Sequence, residues 1–401
     1  MTTDAPTGLA ESGQMLLWGW NGINLIEGFD TLTPDSTPPP QLPARWTQRY
    51  DNIVRGTPVG GPAFDNRSGL LYRVEGGLEQ ILSLIEYRLD RPTGTLARAG
   101  EISRLGAFTP RCAATYSRAT DALCVANALM GTRAEPFRDY RAQLGTRKGV
   151  TPLEKKIGDE PVWAFDTRYD PGPPAVNHVY AATARSLVTF RIQREAPSLD
   201  REPADDTVIT ESYELGGGCA VGVSPLHSRV FLARDTASDT KRTWPATDTI
   251  TRLVYTEEIE PQIKSFPIPS PWVGVGYMGS PRFCFVRRGS VEYVCYPVFQ
   301  TDKNRYGVLC FDTTADTLSS SDVIQIPLLT AGVGGRPTYP VLLSPHVEPG
   351  LLCIAVTGED APDLWVGTVS PATRKAVVAR TAIWGGREQP LWVSGGTWVD
   401  D

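Results

Sequence analysis

The sequence predicts an all-β fold, a seven-bladed β-propeller whose ring closes by pairing the N- and C-terminal strands within one blade. Three observations predict it. The first is a recurring unit, a turn followed by a short apolar strand, seen in NRSGLLYRV, RATDALCVAN, PAVNHVYAA, LHSRVFLAR, GSPRFCFV and EPGLLCIAV. With centres at Tyr72, Cys124, Tyr180, Phe231, Phe283 and Cys353, the intervals are 52, 56, 51, 52 and 70 residues. A seventh centre, Leu17 in QMLLWGW, lies 55 residues before Tyr72. Periods of about 40–55 residues with several strands per unit mark a propeller, whose blades cannot bury their faces alone and stack around an axis.

The second observation is a Pro-punctuated strand ahead of most centres: TPVGGPAF, TPRCAATY, EPVWAFD, SPWVGVGY, RPTYPVLL and QPLWVSGG. Proline at a strand start costs no ladder hydrogen bond, so these read as the inner strands of the blades. The third is a mismatch at the termini. The last inner strand, around Trp392, has no centre after it, and Leu17 has no inner strand before it. Pairing the two completes a blade and removes the edges an open sheet would have to protect.

The remaining elements follow in order. IEYRLDRPTGTL and LWVGTVSPATRKAV read as outer hairpins, an alternating strand followed by a turn. The 70-residue interval is read as carrying an insertion around VFQTDKNRYG. GGG at 216–218 and AGVGG at 331–335 follow no βα unit and read as turns, not phosphate loops. A flexible segment over 1–14 and a single propeller domain over 15–401 are expected.

Composition narrows the function. At 401 residues with 41% apolar and 21% charged, the chain can bury a large core and does not match a disordered composition. The formal net charge of −6 argues against a nucleic-acid partner, because phosphate binding needs a positive field. No segment approaches 18 apolar residues, so no membrane span is expected. The start MTTDAPTGLAESGQ lacks a basic region and an apolar stretch, which points to a cytoplasmic protein; a removed leader would leave the same sequence and place the protein outside the cell. Seven cysteines, among them Cys124, Cys284 and Cys353 inside apolar runs, read as buried thiols. His178, His227 and His346 are scattered and no CxxC is present, so neither a metal nor another cofactor is expected. There is no G-x-S-x-G elbow, H-E-x-x-H or calcium loop.

The stretch LDRPTGTLARAGEISRLGAFTPRCAATYSRATDALCVAN resembles the recurrent unit of the lactonase-like seven-bladed propellers, and within them the fungal 3-carboxy-cis,cis-muconate lactonising enzymes. Cys219-Ala-Val-Gly-Val followed by Phe-Leu-Ala-Arg234 is a second similarity, and AVTGEDAPDLWVGTV with the terminal Trp398 a third. The resemblance implies a site built from a His after an inner-strand Pro, an Arg and a Glu in the next blade, and an Arg after the strand holding Cys219. By position the His place is taken by Arg111, the first Arg place by Val162 and the Glu place falls near Ala184, while Arg234 matches. The family's acid–base set is therefore missing, and proton transfer by its route has no evident carrier.

Ligands of propellers gather at the mouth of the channel where the inner strands begin. The residues after the inner-strand prolines predict a lining of Arg111, Trp163, Trp272, Tyr339 and Trp392, an aromatic pocket for a small-molecule substrate with fixed donors. The plain alternative is that the tryptophans pack between blades. Arg111 has Asp166 and Glu160 as candidate partners, Arg234 has Asp235, and Glu75 is a further channel carboxylate. Arg111 and Arg234 are the candidate catalytic residues; Trp163, Trp272, Tyr339, Trp392, Glu75 and Asp235 are the candidate substrate-binding residues.

A ring-closing scaffold with arginines and aromatics in place of proton carriers predicts a cofactor-independent cyclase or isomerase of natural-product biosynthesis. A cycloaddition of Diels–Alder or hetero-Diels–Alder type fits, since it needs a near-attack geometry and a hydrogen bond to a polarised carbonyl. Two alternatives stand beside it. One is a lactonase or lactonising enzyme using Glu75, His178 or Asp235, with a bell-shaped pH profile. The other is a non-catalytic propeller that binds a partner through exposed apolar patches.

Overall fold

The computed structural model describes residues 14–19, 22–28, 44–49, 63–65, 69–75, 82–90, 92–93, 95–106, 112–117, 122–127, 137–141, 151–155, 162–170, 176–183, 186–193, 207–215, 218–224, 226–234, 246–256, 259–275, 283–300, 305–326, 340–343, 352–357, 364–381 and 393–399. Among them the secondary structure is strand apart from one 3-10 turn at Ser320–Asp322.

The path through the sheets repeats. The chain opens with β1 (Gln14–Gly19), β2 (Gly22–Ile26) and β3 (Ala44–Arg49), each paired with the one before. A second sheet follows from β4 (Ala63–Asp65), β5 (Leu70–Glu75), β6 (Leu82–Asp90) and β7 (Thr95–Gly106). The third holds β8 (Cys112–Ser117), β9 (Ala122–Asn127), β10 (Phe137–Arg141) and β11 (Thr151–Lys155), and the fourth β12 (Val162–Asp170), β13 (Val176–Thr183), β14 (Ser186–Gln193) and β15 (Thr207–Glu214). In the fifth, β16 (Gly218–Val223) and β17 (Arg229–Arg234) are followed by a two-residue strand, β18 (Ala246–Thr247), before β19 (Thr249–Thr256) and β20 (Ile259–Pro267) complete the sheet. The sixth sheet takes in β18 beside β21 (Val273–Val275), with β22 (Cys284–Arg288), β23 (Val291–Gln300), β24 (Arg305–Asp312) and β25 (Val323–Gln325). The seventh contains β26 (Pro340–Leu343), β27 (Leu352–Thr357), β28 (Leu364–Ser370) and β29 (Lys375–Thr381). The last strand, β30 (Val393–Val399), returns to pair with β1, from Gln14 opposite Val399 to Gly19 opposite Val393. The described strands thus form seven antiparallel sheets, with the chain's two ends meeting in one of them. The architecture is a β-propeller closed as the termini predict.

An even number of antiparallel strands returns the chain to the end of the blade where it started, so successive inner strands begin at the same end of the ring. We call this the upper end. Neighbouring inner strands touch: β4 with β8, β8 with β12, β12 with β16, and β26 with β30. The core lies between blade faces. Tyr180, Ala182 and Leu187 of the fourth blade pack on Val221, Val223, Val230, Leu232 and Leu253 of the fifth. On the fifth blade's other face, Phe231, Ala233 and Ile250 meet Phe283, Phe285, Val294 and Tyr296 of the sixth. The alternation along β17, odd residues to one neighbour and even residues to the other, is the period-2 pattern of a strand buried on both faces.

The predicted centres Leu17, Tyr72, Cys124, Tyr180, Phe231 and Cys353 all fall on the second strand of a blade or, for Leu17, on its equivalent β1. Phe283 does not. It precedes β22, which pairs with β23 from Cys284 opposite Cys295 to Arg288 opposite Val291, while β21 pairs with the far end of β23 through Val273 opposite Phe299. The inner edge of the sixth blade is therefore made of two segments along one partner, and its second strand is VEYVCYPVFQ. The VFQTDKNRYG stretch, read as an insertion, is the end of β23 and the start of β24. Gly218 of the GGG stretch opens an inner strand, one with no proline to announce it.

Two glycines mark close approaches, Gly222 between the fifth and sixth blades and Gly274 within the sixth sheet. A Cβ on Gly222 of β16 would lie 2.3 Å from the Phe283 Cβ. One on Gly274 of β21 would lie 1.9 Å from the Thr247 hydroxyl oxygen and 2.6 Å from the Tyr296 ring.

Candidate functional site: the upper end of the fifth blade

Three inner strands begin with the same irregularity. In β12, Val162 faces Thr183 and Ala164 faces Ala182, leaving Trp163 as an extra residue. In β16, Gly218 faces Arg234 and Ala220 faces Ala233, leaving Cys219 extra. In β30, Val393 faces Gly19 and Gly395 faces Trp18, leaving Ser394 extra. Each bulge is at the second residue, at the upper end. The three inner strands therefore enter their blades with a shared backbone irregularity of a kind that recurs at barrel rims and beside active sites.

Arg234 closes β17 at this end, on the face that carries Val230 and Leu232 toward the fourth blade. Its Nη1 donates to the Thr251 hydroxyl at 3.3 Å, and Thr251 in turn shares a 3.0 Å hydrogen bond with Ser265. The Nε is buried with no hydrogen-bond partner. Burial lowers the guanidinium pKa from the ordinary arginine value, and the Asp248 carboxylate opposes that shift. The group stays cationic at any physiological pH. Asp248 is fixed rather than free to follow: its N–H donates to the Arg234 carbonyl at 2.9 Å, its carbonyl accepts from Ile268 at 2.7 Å, and its Oδ1 accepts from the Thr249 hydroxyl at 2.9 Å. The result is a half-buried cation whose enclosed Nε–H is unanswered and whose remaining guanidinium surface is partly exposed. Such a donor suits a carboxylate or the developing negative oxygen of an ester carbonyl.

The connection before Asp248 crosses into the next blade. Thr247 and Ala246 of β18 pair with Gly274 and Val275 of β21, and the Thr247 and Tyr296 hydroxyls are 3.2 Å apart in the core.

The other predicted residues divide by what the structure describes. Trp272 is 5% exposed and packs in the core between the fifth and sixth blades, its ring 3.2 Å from where a Cβ on Gly307 would stand. Trp163 occupies the β12 bulge and Glu75 ends β5 opposite Ser83. Arg111, Asp235, Tyr339, Trp392 and Glu160 lie outside the described residues. Asp166, considered as a partner for Arg111, accepts the Val223 N–H at 2.9 Å and so ties two inner strands. His178 is near the start of β13, stacked on Tyr180 with centroids 6.4 Å apart. β13 and β17 are equivalent strands running the same way, so His178 near the start of one and Arg234 at the end of the other are not brought together.

Residues not singled out from the sequence gather at the opposite end. The Ser224 hydroxyl donates to Glu292 Oε2 at 2.5 Å while its oxygen accepts the His227 N–H at 2.9 Å. Glu292 is 2% exposed, and its Oε1 has no partner. Nearby, Arg252 donates to the carbonyls of Thr313 and Ala315 and to Asp316, which Lys264 also contacts at 2.7 Å. Asp248, Ser224 and Glu292 left no local signal: each meets its partner across strand register or across blades.

No family model and no curated protein matches the sequence. Among solved structures the chain is similar to a candidate 6-phosphogluconolactonase from Bacteroides fragilis, with a TM-score of 0.58 and 12% identity over 99% of this chain and 100% of that one. It is also similar to a quinonprotein alcohol dehydrogenase-like protein from Bacteroides thetaiotaomicron, with a TM-score of 0.48 and 10% identity over 92% of this chain and 76% of that one. A third likeness is to TolB from Acinetobacter baumannii, with a TM-score of 0.41 and 11% identity over 75% of this chain and 60% of that one. At these identities the first likeness speaks for the fold alone, and the other two carry no argument. No helix among the described residues is long and apolar enough to cross a membrane, and no cluster among them is arranged to hold a metal ion. The chain has the β-propeller fold.

Proposed function

We propose that the protein is a lactonase-type enzyme, opening or closing the ester ring of a small molecule at the upper mouth of the propeller. The observation that carries this is Arg234: a half-buried guanidinium at the upper end of the fifth blade, anchored to Thr251 and lying beside Asp248, with part of its surface left exposed. In this reading the guanidinium holds the carbonyl oxygen of the cyclic ester, whose charge grows as the acyl carbon becomes tetrahedral. Thr251 and Asp248 keep the side chain in place. The end-to-end likeness to a candidate 6-phosphogluconolactonase is consistent with the reading and adds only a shared scaffold. The cycloaddition expected from the sequence could use the same Arg234 as its carbonyl donor, but Trp272, expected to wall its pocket, is packed in the core.

The test is turnover of a panel of small lactones and muconates, followed by proton release, for the unaltered protein and Arg234→Gln. Loss of one donor to an oxyanion lowers kcat by about 10²–10³. A substrate turned over equally well by Arg234→Gln would exclude the assignment. Cycloaddition of a diene substrate with no lactone turnover would replace it.

A further inference from the structure

Three cysteines stand in a row across the sixth blade. Cys284 of β22 is directly opposite Cys295 of β23, and Cys295 is directly opposite Cys310 of β24. All three belong to the same buried cluster, facing Val369 of the seventh blade, with exposures of 3%, 0% and 0%. The Cys310 and Cys295 sulfurs are 3.3 Å apart, and no disulfide joins them. Residues opposed across an antiparallel pair have Cα atoms about 4.5 or 5.5 Å apart, depending on the ladder position. Both values fall inside the roughly 4.4–6.8 Å range that a disulfide spans. The Cα span of the pair therefore admits a disulfide, and glutathione reaches these buried sulfurs when the blade opens locally.

We propose that Cys295 and Cys310 are a modification site, a dithiol that a small-molecule disulfide oxidises to a cross-strand disulfide, with Cys284 as the alternative partner of Cys295. The step balances simply. Two thiols lose two protons and two electrons as the sulfur–sulfur bond forms, and one molecule of oxidised glutathione accepts them to become two of its thiols. Because Cys295 lies between the other two, one of its neighbours always remains a thiol and can exchange into the bond. Burial, then the adjacent Cys310 thiol, push the Cys295 pKa well up, so the reactive thiolate is scarce near neutrality and oxidation of the folded chain is slow, accelerating as pH rises.

The experiment exposes the reduced full chain to oxidised glutathione, blocks remaining thiols in denaturant, and maps crosslinked peptides without reduction. The folded protein should yield chiefly the Cys295–Cys310 link. The same chain oxidised in denaturant should yield a mixture over all seven cysteines. In Cys310→Ser, the link should move to Cys284–Cys295. Three fully alkylated cysteines after long oxidation at alkaline pH would overturn the proposal. So would a stable glutathione adduct on Cys295, or the same mixture from folded and denatured chain.

Discussion

Ser224 follows the inner strand of the fifth blade, and its single oxygen serves two blades. It accepts from the turn N–H groups of Leu226 and His227 and donates to Glu292 of the sixth blade. Ser224→Ala would leave the buried Glu292 carboxylate with neither oxygen bonded. A lost hydrogen bond to a charged buried group costs about 1.5–3 kcal/mol, and the denaturant midpoint should fall accordingly with little change in slope. Trp272→Ala tests the other side of the same seam. Truncating a buried aromatic costs about 3–5 kcal/mol, so a variant of unchanged stability would show that the ring does not belong to the core. These are the residues the sequence conceals. Arg234, at the end of a recognisable strand, stood out through the family resemblance, and Trp272 because it follows a proline, although its place in the core was not visible. Asp248, Ser224 and Glu292 were not, because their roles depend on which blade face lies opposite, and strand periodicity gives the face but never the partner.

Among the elements, the inner strands were the most legible and the sixth blade the least. Proline at strand starts and near-equal spacing identify most blades, but the turn before β23, with Gly289 at φ 59°, folds RFCFV back onto the inner edge. A short apolar run has the same appearance on either strand of a hairpin, so spacing alone misplaced Phe283. The fifth and sixth blades are also linked in the segment after β24, where Lys264 of β20 first and then Arg252 of β19 hold the Asp316 carboxyl below its ordinary value. A depressed carboxyl pKa favours the folded state above the ordinary carboxylate range, and the contribution disappears as pH falls through the lowered value. Thermal stability followed from neutral to acidic pH should therefore show a shallower acid loss in Asp316→Asn than in the unaltered protein. Asp316 is well exposed, so the difference should be small and should shrink in high salt. Gly274→Ala probes the short strand β18: the added methyl meets Thr247 and Tyr296, and overpacking of this kind costs about 1–3 kcal/mol.

At the scale of the whole molecule, closure through β1 and β30 was the inference that needed no single motif, only the observation that each terminus lacked what the other had. Removing 393–399 should expose the edge of β1 along its full length. Such a chain is expected to aggregate or to melt well below the intact one, with loss of a single sharp transition. A further consequence comes from β18. Because two residues leaving the fifth sheet are woven into the sixth, the described strands make these two blades a double panel and the panels unequal. Sliding those two blades apart would require unthreading a strand, whereas among the described residues no strand crosses another seam in this way. In native-state hydrogen exchange, amides from β16 to β24 should open as one cooperative unit, with a common free energy, while outer blades open separately. Breathing of the ring, and entry of any ligand that needs it, would then be expected at the seams away from that panel.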